Sequence, residues 1–232
     1  MKNNFLFHLG AHEMIPLSDD NSARKTTPIV TYFLILLNIL VFLLELAGGE
    51  SFIAKWAFIP DRFLDHPSTE FPTIFTAMFM HAGWGHLIGN MLYLWIFGDN
   101  VEDQFGKIKF LIFYLVCGAA ATAAQLTFNP ESKIPNVGAS GAIAGVLGAY
   151  IYMFPQSKIN VMLGSVMTQM SALIVIGFWF VLQFLSGLGS PEEMGKGETG
   201  GVAYMAHIGG FITGLVLAVF MQAVGKKNRN AG

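Results

Sequence analysis

Residues 138–148 read Gly138-Ala139-Ser140-Gly141-Ala142-Ile143-Ala144-Gly145-Val146-Leu147-Gly148, an apolar stretch in which small residues recur at helical spacing. Wound as a helix, Ser140, Ala144 and Gly148 form one stripe, with Gly141 and Gly145 in the stripe beside it. Small-xxx-small faces let two helix backbones approach closely, which is how helices associate in lipid. A second stretch, Ala206-His207-Ile208-Gly209-Gly210-Phe211-Ile212-Thr213-Gly214, puts His207, Gly210 and Gly214 on one face by i, i+3, i+7 spacing. If the two faces meet, the Ser140 hydroxyl comes within hydrogen-bond reach of the His207 imidazole, the geometry of an activated serine. Gly210 and Gly214, packed on Ala144 and Gly148 with Gly141 and Gly145 alongside, are then expected to set the distance between the two groups.

The rest of the chain gives this pair a membrane setting. Of 232 residues, 53% are hydrophobic and only 12% are charged, about half the charged share of an ordinary soluble domain. The mean hydropathy is +0.55. The 21 Phe and 26 Gly together match the composition of packed transmembrane helices. A net charge of −2 does not suggest a nucleic-acid partner. Cys117 is the sole cysteine, so no intramolecular disulfide forms. The first nine residues are too short and broken for a secretory signal, so targeting falls to the hydrophobic spans.

Apolar runs near 20 residues predict six spans, at 28–46, 81–97, 110–128, 138–154, 171–188 and 202–224. The fold class expected is an all-α membrane protein with six transmembrane helices. Residues 1–27 read as a tail, 28–224 as one domain and 225–232 as a basic tail. Residues 48–80 form a long loop, 155–160 a tight turn and 189–201 a glycine-rich loop. With both termini in the cytoplasm, Lys2, Arg24, Lys25, Lys107, Lys109, Lys158, Lys226, Lys227 and Arg229 are cytoplasmic. Only Lys55, Arg62, Lys133 and Lys196 lie outside, in keeping with the positive-inside bias. Spans two, four and six then start at the outer surface, which brings their polar residues to similar depth.

Those residues are His81, His86 and Asn90 in span two, Ser140 in span four and His207 in span six. Polar side chains within a bilayer are costly and need a partner or a purpose. His86 and Asn90, four apart, share a helix face and offer two donors, while His81 turns off that face and suits a loop anchor. Each piece alone reads as helix packing or interhelical glue. The three clusters at one depth read as a site, with His86, Asn90 and a backbone N–H near Ser140 available to stabilise an oxyanion. No Asp or Glu falls mid-span, and Glu45 is near the end of span one, so the reading is a dyad.

The stretches His81-Ala82-Gly83-Trp84-Gly85-His86-Leu87-Ile88-Gly89-Asn90-Met91, Gly138-Ala139-Ser140-Gly141-Ala142 and Ala206-His207-Ile208-Gly209-Gly210 with Gly214 resemble, in order and spacing, the rhomboid intramembrane serine proteases. The resemblance runs over about residues 28–224, and residues 100–106 look like the rhomboid turn after the second helix. It implies a six-helix rhomboid bundle with Ser140 as nucleophile, His207 as general base, and His86 and Asn90 as oxyanion donors. It also implies cleavage of transmembrane protein substrates, with no metal or cofactor, by a multi-pass protein of a bacterial cytoplasmic membrane. Two departures stand out. Pro72 and Thr73 occupy the place of a Trp-Arg pair that many rhomboids carry in the first outer loop. Ala144 stands where some bacterial members place an aromatic residue against the histidine, which leaves open what steadies the His207 ring.

Competing readings are weaker. Catalytically inactive rhomboid-like relatives that bind membrane proteins typically lack the serine or histidine, and both are here. A solute transporter of this size usually shows paired halves, and none is visible. A metalloprotease would need a His-Glu-x-x-His run, which the chain lacks. Asn38 reads as a helix–helix hydrogen bond. Trp179, Phe180, Gln183 and Phe184 read as lipid-facing bulk with one interhelical amide, the alternative being a substrate gate. His8, His12 and Glu13 have metal-compatible spacing but read as a polar tail.

Overall fold

The computed structural model describes residues 14–22, 24–187 and 203–230. His8, His12 and Glu13 of the tail and the loop at 189–201 lie outside the described residues. Most of the described chain is helical. Long helices occupy each stretch expected to span: α1 (Ile29–Trp56), α5 (Trp84–Phe105), α6 (Lys107–Phe128), α7 (Ser140–Met153), α8 (Ala172–Gly187) and α9 (Tyr204–Asn230). Between α1 and α5 come three short helices, α2 (Pro60–Asp65), α3 (Pro67–Glu70) and α4 (Thr73–Thr76). By length and composition, α1, α6 and Tyr204–Val224 suffice to cross a membrane, while α7 and the apolar part of α8 are shorter.

The molecule is apolar outside as well as inside. Leu36, Leu40 and Leu44 of α1, Ile112 of α6, and Val216 and Phe220 of α9 are all exposed. A water-soluble protein rarely shows so large an apolar surface, and a bilayer is the solvent that suits it. At the centre stands α7, buried continuously from Gly141 to Tyr150. The helix packs on α9, α6 and α5, so its first residue, Ser140, starts from the best-held element of the fold.

The all-α expectation needs one correction. Strand β1 (Met14–Asp19) pairs antiparallel with β2 (Lys158–Leu163), and β2 pairs with β3 (Val166–Ser171) in the order β1-β2-β3. Part of the segment read as a tail is therefore fixed structure, and the turn read at 155–160 leads into a hairpin. Alternation explains the strand: Ile159 and Val161 are fully buried while Asn160 between them is not, the period-2 pattern of a sheet with one covered face. The basic tail read at 225–232 also differs, since α9 continues to Asn230.

The link from β1 to α1 is fastened by the acidic end of α5. No side chain of its own caps α1. Instead the Glu102 carboxylate accepts the backbone N–H groups of Val30 at 3.0 Å and Thr31 at 2.7 Å, satisfying donors that a helix start leaves free. Asp103 accepts the Thr26 N–H at 2.8 Å. Gly106, with φ 78, makes the abrupt turn into α6 in a conformation that glycine adopts without strain.

Asp19 and Asp99 complete this fastening. Asp19 accepts hydrogen bonds from Tyr150 at 2.7 Å and Asn100 at 2.6 Å, and Asp99 pairs with Arg24 at 2.5 Å. Burial raises both carboxyls above their ordinary value. For Asp99 the neighbouring Asp19 charge adds to burial, and together they outweigh Arg24 and push it to about 6. A carboxyl raised on folding stabilises the fold below its unfolded value and stops doing so as pH rises through the folded one. Hydrogen exchange at the β1–β2 amides, corrected for intrinsic rate, is therefore expected to accelerate between about pH 4 and pH 7. In Asp99→Asn that extra acceleration should shrink; an unchanged pH dependence in the variant would remove Asp99 from the effect.

Candidate active site

Ser140 begins α7 and His207 lies in the first turn of α9, and the two helices cross through their glycines. A Cβ built on Gly210 would fall against the Gly141 carbonyl group, one on Gly214 against that of Gly145, and one on Gly148 against that of Phe211. The two small-residue faces meet, with a partner shifted from the one expected. It is the Gly141/Gly145 stripe, rather than Ala144/Gly148, that receives Gly210 and Gly214.

This crossing leaves His207 Nε2 2.7 Å from Ser140 Oγ. The other ring nitrogen, Nδ1, lies 2.7 Å from Oε1 of Gln183 on α8. Trp179, one turn earlier on α8, sets its ring 5.8 Å from the imidazole at 36°. The aromatic neighbour that Ala144 fails to supply thus comes from a different helix. Glu45, the nearest carboxylate in the sequence reading, accepts the His81 backbone N–H at 2.9 Å and so anchors the loop before α5.

Gly138 brings His86 to the serine. Its φ is +135, and an added Cβ would fall 2.8 Å from His86 Cε1, 3.0 Å from Nε2 and 3.5 Å from Ser140 Oγ. The imidazole of His86 therefore rests on bare backbone beside the hydroxyl. Asn90, one turn further along α5, is buried with its Nδ2 lacking a hydrogen-bond partner. A buried donor without an acceptor is costly, and this one borders a cavity that can hold one. The cavity, about 630 Å³ in volume, is lined by His86, Asn90, Ser140, Trp179 and His207 among others. His81 stands outside it, its ring edge-on to His86 at 5.1 Å.

The loop without a Trp-Arg pair has another anchor. Arg62 donates to the Ala57 carbonyl at 2.8 Å and to that of Ala54, and pairs with Glu70 at 2.7 Å. Thr73 Oγ1 donates to the Glu70 carbonyl at 2.6 Å. Asn136 N–H donates to the Phe58 carbonyl at 2.7 Å, tying this loop to the segment that leads into Ser140.

Trp179 and Gln183 are the residues the sequence reading undervalued. Phe184 is exposed as expected of lipid-facing bulk, and Phe180 stacks on Phe211 at 4.3 Å. The signal was the i, i+4 spacing of Trp179 and Gln183, with Gln183 the one amide in an otherwise apolar helix. Asn38, expected to bridge helices, donates Nδ2 to the Leu34 carbonyl of its own helix at 2.7 Å and also faces the Tyr114 hydroxyl of α6.

Helices clad in apolar residues around a part-buried serine–histidine pair are those of an integral membrane protein, and the cavity beside the pair brings together a hydroxyl, two imidazoles and an amide. A sequence profile of the rhomboid domain matches residues 68–223, and the chain belongs to the rhomboid family. It is 33% identical over 198 residues to the rhomboid protease GluP of Bacillus subtilis, covering 82% of this chain and 34% of that one. It is 27% identical over 205 residues to the mitochondrial rhomboid protein 1 of Saccharomyces cerevisiae, covering 86% and 55%. With the rhomboid protease GlpG of Haemophilus influenzae it shares 28% identity over 199 residues, covering 86% and 93%. The chain thus spans a third to about half of the first two relatives and nearly all of the third.

Proposed function

We propose that this chain is an active serine endopeptidase that hydrolyses peptide bonds in or beside transmembrane segments of membrane proteins. The observation that carries this reading is the 2.7 Å approach of His207 Nε2 to Ser140 Oγ on the wall of a cavity within an apolar bundle. Ser140 Oγ attacks the scissile carbonyl carbon while His207 Nε2 takes the hydroxyl proton. The proton then passes to the leaving amine as the C–N bond breaks, leaving an acyl-enzyme. Water, deprotonated by the same nitrogen, attacks the ester and releases the acid. The negative charge on the tetrahedral oxygen falls to Asn90 Nδ2, His86 and the free N–H groups at the start of α7, where the helix dipole also favours it. Residues 28–224 form the protease domain, its six helices crossing a bacterial cytoplasmic membrane with both termini inside and the cavity opening outward. The inactive, binding-only reading would leave the paired hydroxyl and imidazole without a use.

The test is labelling of the purified protein in detergent with a fluorophosphonate, followed by peptide mapping. The label is expected on Ser140, with parallel loss of cleavage of a model transmembrane substrate. A label mapped elsewhere in protein that still cleaves would overturn the assignment.

Asn90→Ala separates transition-state stabilisation from recognition. Its unpartnered donor should matter most once the oxyanion forms, so turnover is expected to fall by about 10²–10³-fold while KM changes little. A variant with normal turnover and raised KM would move Asn90 into substrate binding.

A further inference from the structure

We infer that Gln183 is the positioning residue that selects the reactive tautomer of His207, so that the pair is completed by a side chain from α8. The inference rests on the reading of Ser140 and His207 as nucleophile and base. A general base needs a lone pair on the nitrogen that faces the serine. Neutral imidazole has one N–H, so the proton must sit on Nδ1 for Nε2 to accept from Oγ. Gln183 presents its carbonyl oxygen, not its amide nitrogen, to Nδ1 at 2.7 Å. That oxygen only accepts, so it selects the Nδ1–H tautomer and leaves Nε2 free towards Ser140 at 2.7 Å. An amide turned the other way would donate to Nδ1 and place the proton on Nε2, where it blocks the base.

The same bond steadies the imidazolium formed when Oγ gives up its proton, because Nδ1–H then carries part of the positive charge. Trp179 braces the ring from one turn away on the same helix. Among the described residues, the other titratable group facing His207 is His86 on α5, with His81 behind it. The helices α6, α7 and α8 carry no carboxylate, and the only amines among them are Lys107 and Lys109 at the far end of α6. Gln183 therefore does with a neutral amide what a carboxylate does in a triad, and a smaller effect follows from the missing charge. The supporting side chains come from α8, so the base is fully oriented only while α8 is seated against α9.

Four purified proteins test this: wild type, Ser140→Ala, Gln183→Leu and Gln183→Glu, with kcat and KM for a transmembrane substrate measured across pH. Gln183→Leu is expected to lower kcat by about 10–10²-fold, against the ~10⁴-fold seen when a triad loses its orienting carboxylate, with KM nearly unchanged. Gln183→Glu keeps an acceptor of the same reach, so it should recover most of the activity at high pH. Its charge favours the imidazolium, so the acid limb of kcat/KM should move to higher pH. Wild-type kcat in Gln183→Leu would overturn the inference, as would an acid limb unmoved in Gln183→Glu; the second criterion holds even if the leucine variant folds poorly. Either result beside an inactive Ser140→Ala leaves the dyad standing. Proteolysis by Ser140→Ala would instead sink the reading on which the inference rests.

Discussion

Ser140→Ala is expected to lower cleavage of a membrane-spanning substrate by about 10⁴-fold or more, with the fold essentially intact. The hydroxyl pairs with His207 Nε2, and alanine suits a position where small residues already line the helix. Loss of the oxygen therefore removes the bond-forming atom without leaving a large cavity. His207→Ala should be equally inactive, and the double variant no worse, because nucleophile and base act as one device. Losses that multiplied in the double variant would show the two residues contributing separately. Thermal unfolding in detergent supplies the control: Ser140→Ala should melt close to wild type, and substantial residual turnover by a well-folded sample would refute the nucleophile.

Much of this site was legible because glycine stripes constrain backbones and not merely side chains. Once Gly141/Gly145 and Gly210/Gly214 are read as contact faces, the positions of Ser140 and His207 at the ends of those faces follow. Which stripe met which was not legible. A turn of about 100° per residue separates the Ala144/Gly148 row from the Gly141/Gly145 row, and only the three-dimensional crossing chooses between them. The sheet was hidden for a different reason. Strand β2 has six residues and runs through β3 into the apolar α8, so its alternation merges with a span. Its partner β1 lies far off in sequence, pairing Met14 with Leu163. Gln183 was visible as a lone amide, but its partner is 24 residues away on another helix, and nothing local points one at the other. Arg62 likewise looked like an ordinary outer-loop charge until α1 presented it with carbonyl oxygens.

Gly210→Ala is expected to lose both activity and stability, against the usual trend for such a change. In an exposed helix, alanine for glycine gains about 0.5–1 kcal/mol by restricting the unfolded chain. At Gly210 the added methyl meets the Gly141 carbonyl oxygen, and the carbonyl carbon lies 2.9 Å away. Both are backbone atoms, so no rotamer change relieves the clash and α7 and α9 must separate. Overpacking of this kind costs about 1–3 kcal/mol or more. The separation also draws His207 from Ser140, and about 1 Å of displacement can cost roughly 10²-fold in rate. Gly214→Ala meets the Gly145 backbone in the same way. Two turns beyond His207, it should cost similar stability but less activity. Gly177 on α8 is the control, since a Cβ there meets nothing within 4 Å. Gly177→Ala should melt no lower than wild type and keep its turnover. Measured together, the three variants isolate the crossing: if Gly210→Ala matched Gly177→Ala in both melting and turnover, the contact between α7 and α9 could not be what holds serine and histidine together.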